Sequence, residues 1–125
     1  MKEPRQFPWS PESELLVWCA RTRVTEELHA QICARVQEPL DWGLLLDLAA
    51  YHGVLPLLYR NLSTICPSLV PGDTLTKLRQ KTQACALLNQ SLAQELGSLC
   101  GAFAAHNVPV VPIKGVTLAL SAYGD

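Results

Sequence analysis

The chain has 125 residues, a formal net charge of -1, 49% apolar residues and 17% charged residues. That is enough for one ordinary domain with a sizeable core, and so balanced a charge excludes a polybasic binder of nucleic acid or acidic membrane. No apolar run approaches the ~20 residues of a membrane span, and the polar opening with Pro4, Pro8 and Pro11 lacks the apolar core of a signal peptide, so a soluble, cytoplasmic chain is expected.

Residues 1–9 read as an extended arm whose apolar anchors, Phe7 and Trp9, are expected to pack on the first helices. The first helix has Ser10 as N-cap, Pro11 at N1, and Glu12 and Glu14 in its first turn. Leu15, Leu16, Trp18 and Cys19 form its stripe, and it should fade near Arg21 and Thr22. Thr25 caps a second helix. Leu28, Ile32 and Val36 recur there at i, i+4 and i+8, and Pro39 ends it. Asp41 caps a third, with Trp42, Leu45, Leu46, Leu48 and Ala49 as its core residues and Gly53 as the C′ residue.

A fourth helix is expected from Val54 to Ile65, with Pro56 tolerated in its first turn. Leu57, Leu58, Tyr59 and Leu62 are its apolar side, while Arg60 and Asn61 are expected to face water. The longest element runs from 74 to 105, capped by Asp73 or Thr74. Leu75, Leu78, Thr82, Cys85, Leu92, Leu96, Leu99 and Phe103 recur every three or four residues, and Asn89 interrupts them. Such a seam suits a coiled-coil dimer. Packing within the chain is preferred, because four preceding amphipathic helices need a surface to cover. Gly97 and Gly101 are the points where this helix would bend.

The strand signal arrives last. Val108, Val110, Val111 and Ile113 are apolar and mostly β-branched, which suits a pleated, buried surface. Lys114 and Gly115 close the run, and Val116, Leu118, Ala119 and Leu120 begin a short terminal helix. The expected architecture is therefore mostly α, with about five helices, the last long, then one β-strand and a short helix. It divides into a helical region, 1–106, and a strand–turn–helix segment, 107–125. A lone strand leaves both edges unpaired, so it must be covered by helices, paired with a second copy, or docked on a partner chain.

Little of this carries chemistry. The five cysteines (Cys19, Cys33, Cys66, Cys85, Cys100) are odd in number and widely spaced, and there is no C-x-x-C, so they read as reduced, structural thiols. His29, His52 and His106 have no companion at metal or catalytic spacing, and His52 and His106 sit at helix ends, where a cation is favourable. No D-x-D, H-E-x-x-H, G-x-S-x-G or P-loop occurs. Lys77 and Lys81 share a helix face, read as solvated. Lys114 and Gly115 remain. A strand, a glycine turn and a helix start place backbone N–H groups where a phosphate can sit, with the lysine as a point charge. The plain alternative is a solvated lysine beside a turn glycine.

The whole pattern resembles a known family. The residues that carry it are F-P-W-S-P-E-x-E-L-L at the start, L-D-W around Asp41 and Trp42, and H-G-V-L-P-L-L-Y from His52 to Tyr59. H-N-V-P-V-V-P-I-K-G-V-T and A-Y-G-D complete it, from His106 to Asp125. The chain looks like the N-terminal half of the uncharacterised nucleotidyltransferase family of bacterial proteins, within the polymerase-β-like superfamily. The resemblance implies an α+β complete protein in which K-G, here Lys114 and Gly115, ends the first sheet strand and faces the phosphates of an NTP. It also implies, beyond Y-G-D, an Arg and a D-x-D whose two carboxylates would hold Mg²⁺ for transfer of a nucleoside monophosphate to a hydroxyl acceptor. Asp125 matches the turn residue of Y-G-D and is given no metal role. On this reading the 125 residues are a truncated product, a fragment or half of a split protein, inactive alone. The alternative is a non-enzymatic helical module that docks on another chain.

Overall fold

The computed structural model describes residues 9–113 and 115. Among the described residues there are five helices: α1 (Pro11–Cys19), α2 (Glu26–Val36), α3 (Trp42–Tyr51), α4 (Leu55–Ile65) and α5 (Gly72–Ala105). The chain divides into two compact units, Met1–Lys81 and Thr82–Asp125, and α5 runs through the boundary.

Local chemistry sets most of the boundaries. Ser10, Thr25 and Asp41 each stand in extended backbone and accept a hydrogen bond from the N–H three residues on, at Ser13, Leu28 and Leu44. At the end of α3, Gly53 adopts φ 69°. The Gly53 N–H donates to the Ala50 carbonyl and the Val54 N–H to the Ala49 carbonyl, a paired closure that requires a left-handed residue between them. The end of α5 repeats the device with Asn107 at φ 56°: its N–H donates to Ala104 and that of Val108 to Phe103. Asparagine is the side chain that tolerates this backbone best after glycine.

Three boundaries differ from expectation. The first helix stops at Cys19, two residues short of Arg21, because tertiary partners take its last carbonyls. The fourth starts at Leu55, with Val54 as a cap residue that makes no side-chain bond. The fifth starts at Gly72, so Asp73 and Thr74 lie in its first turn and do not cap it; the Leu75 N–H bonds to the Pro71 carbonyl.

The core of the first unit joins all five helices. Leu15, Leu16 and Cys19 of α1 meet Leu28, Ile32 and Val36 of α2, and Leu45, Leu46 and Ala49 of α3. Leu55, Leu58 and Leu62 of α4 and Leu78 of α5 complete it, with Cys66 and Val70 from the turn between them. Each of α1 to α4 supplies residues at i, i+3 or i+4, the spacing that puts side chains on one face.

Polar groups then fix how the helices meet. The Glu12 carboxylate is buried and accepts the Asp41 N–H at 2.8 Å, tying the start of α1 to the start of α3. Glu14 pairs with Arg35 of α2, whose guanidinium also reaches Glu38 and lies 5.5 Å from the Trp18 ring centroid. Asn61 overturns its sequence assignment. It is buried rather than solvated, and its amide donates to the Cys19 carbonyl at 2.6 Å and the Arg21 carbonyl at 2.9 Å. Its neighbour Arg60 donates to Thr22 from an exposed position. The carbonyls left open where α1 ends are thus satisfied from α4.

The Asp41 N–H, with the backbone N–H of Glu12 itself, holds the Glu12 carboxyl below its ordinary pKa of 4.5. A lowered folded value means the ionised form is favoured by folding. The contribution is complete above the ordinary value and fades as pH falls through the lowered one. Urea midpoints of the wild type should therefore drop below pH 4.5, and Glu12→Gln, which keeps an acceptor but no charge, should flatten that drop. Identical pH profiles for the two proteins would remove this role from Glu12.

The long helix does not behave as expected along its second half. It runs unbroken through Gly97 and Gly101, and of its residues only Thr74 and Leu78 are buried. Leu87, Leu88, Leu92, Leu99 and Phe103 are all exposed. The seam is buried at Leu78, and its apolar side chains Leu92, Leu99 and Phe103 are exposed among the described residues.

Candidate functional site

The strand–turn segment follows the Asn107 closure of α5. Residues 108–113 carry no strand, and Val108, Val110, Val111 and Ile113 are exposed, the last by 82%. A strand is defined by ladder bonds to a neighbour, and among the described residues no neighbour supplies them. The expected burial of this run on a pleated surface is accordingly absent. Lys114 and the expected terminal helix at 116–120 lie outside the described residues.

Gly115 is described, and its backbone stands at φ 78°. Among the described residues, a Cβ added there would meet no atom within 4 Å. The need for glycine at this turn is thus one of backbone conformation, not of space. A side chain would force the turn out of the left-handed region or strain it there.

The remaining chemistry-bearing residues do not converge. His29 Nε2 lies 3.4 Å from the Ile65 carbonyl, and His106 Nδ1 donates to the Ala102 carbonyl at 2.9 Å. Both imidazoles are used to finish helix ends. His52 caps the C-terminus of α3, with its ring edge-on to Tyr51 at 5.0 Å between centroids. It also borders a recess of about 490 Å³ in the first unit, whose other walls include Trp9, Leu16, Val17, Leu48 and Val54. Among the described residues the lining holds no carboxylate and no thiol, so these residues offer neither an acid–base pair nor a ligand set.

All five cysteines are free thiols. Burial pushes the Cys19 thiol up to about 12, and burial beside Cys33 pushes Cys66 up to about 11. Groups so far from ionisation at neutral pH are poor nucleophiles, which supports a structural role for these two. Among the described residues, no three His, Cys, Asp or Glu side chains are grouped to hold a metal ion.

A profile of the family described as uncharacterised nucleotidyltransferase matches residues 38–125. The chain belongs to that family. The match covers α3, α4, α5 and the whole strand–turn segment, including Lys114 and Gly115. It leaves out α1 and α2, so the opening F-P-W-S-P-E motif is not part of the matched stretch. No curated protein and no solved structure matches the chain. Among the described residues, no helix is long and apolar enough to cross a membrane, α5 included.

Within this family frame the residues divide clearly. Glu12, Asn61 and the helix caps serve the fold. Asn61 and Glu12 were missed as structural anchors because a polar side chain beside Arg60, or in a first turn, looks solvated in one dimension. The one sequence signal was the place of Glu12 in the first turn of α1; Asn61, inside α4, had none. Gly115 stands apart: its backbone is left-handed although, among the described residues, nothing crowds the place of a Cβ there.

Proposed function

We propose that this chain forms the N-terminal part of a nucleotidyltransferase that moves a nucleoside monophosphate from an NTP to a hydroxyl acceptor. The observation that carries the reading is the family match over residues 38–125. The left-handed backbone of Gly115 supports it, since a turn of that kind lets main-chain N–H groups approach a phosphate closely. Lys114 would add a point charge beside those N–H groups. The helical region would position the turn.

Mg²⁺ belongs to the reading only for the complete protein. The described residues of this chain offer no donor set for it, and the sequence contains no D-x-D. In such transfers the metal stabilises the attacking and leaving oxygens. The carboxylates that hold it are expected beyond Y-G-D, in a segment that pairs with residues 108–113 as the first strand of a sheet.

The test uses a polypeptide that continues through that D-x-D segment. Gly115→Val should weaken NTP binding by about tenfold, the equivalent of the 1–2 kcal/mol needed to hold a non-glycine residue left-handed. An unchanged Kd would dismiss the role given to the turn. Residues 1–125 alone should show no metal-dependent transfer of labelled nucleotide; a measurable turnover would overturn the division of labour.

A second reading is a helical module that docks on another chain without catalysing anything. The exposed seam of α5 (Leu88, Leu92, Leu99, Phe103) favours it. Light scattering on residues 1–125 should then show self-association or aggregation that a Leu92→Glu, Leu99→Glu variant relieves. A monomeric wild type with dispersed NMR signals would remove this reading.

A further inference from the structure

We draw no further inference here: the strongest candidate, the exposed apolar stripe along the second half of α5 (Leu88, Leu92, Leu99 and Phe103), carries no proposal because nothing in the structure shows what covers it.

Discussion

Leu58→Ala should destabilise the first unit by about 2–5 kcal/mol, the range for removing three buried carbons from a packed site. Leu58 is fully buried, at 0% exposure, in a cluster fed by all five helices, and each neighbour is held by its own helix. The site therefore cannot collapse around the cavity without moving several helices at once, which favours the upper part of the range. For a unit of this size, at about 4–8 °C per kcal/mol, the loss corresponds to a fall in Tm of roughly 8–40 °C. Leu87→Ala is the matched control. It removes the same atoms from a side chain that is 68% exposed, and its effect should stay within about 0.5 kcal/mol. Urea unfolding followed by circular dichroism separates the two. Equal losses at both positions would mean that the core is not where the structure places it.

Asn61 carries the second large effect, and here the sign of a pH dependence adds a test. Its amide is the donor for two carbonyls, Cys19 and Arg21, in a buried position. Asn61→Ala leaves both without a protein partner, at a cost of about 1–3 kcal/mol. Asn61→Asp is close to isosteric but should cost more at neutral pH, because a carboxylate presents only acceptors to those two acceptors. The new carboxyl would be protonated more readily in the folded state than in the unfolded one. The folded protein then binds the extra proton, so the stability of this variant falls as pH rises through and above the ordinary Asp range. The difference between Asn61→Asp and wild type should shrink towards pH 4 and widen towards pH 7. Glu12 works in the opposite direction in both proteins, so the comparison is made as a difference at each pH. If the two substitutions cost the same at every pH, the amide does not bridge those carbonyls.

These two residues show why part of the fold was legible in one dimension and part was not. Leu58 sits in a run of apolar residues at helical spacing, and periodicity alone assigns it to a core. Asn61 lies next to Arg60 and reads as the solvated side of the same helix. What buries it is the end of α1, forty residues away in sequence, whose open carbonyls need donors. No local pattern announces such a need. Glu12 is the same case in reverse: a first-turn acid explained by its own helix turns out to serve the N-cap of another.

The candidate turn divides likewise. That Gly115 is a turn glycine followed from Lys-Gly after a β-branched run, and its φ of 78° agrees. That the run would be buried did not follow, because burial of a strand is a property of its neighbours. Val111 and Ile113 are 80% and 82% exposed, since among the described residues no second strand lies beside them. The seam of α5 teaches the same lesson on a larger scale. Its three-and-four spacing specifies an apolar face, but not what that face meets.

By itself, then, the sequence determined the five helices of the described residues, three of the N-caps, the glycine closure after α3 and the family to which the chain belongs. Those are local matters: caps and turns are settled within four residues, and periodicity within one helix. Only the tertiary structure decided that Glu12 and Asn61 are internal anchors, that α5 buries Leu78 yet exposes Leu92 and Phe103, and that residues 108–113 stand without a ladder. The physical reason is the same in each case. A hydrogen bond or a buried face needs two partners, and no local pattern in the sequence says where the second one lies.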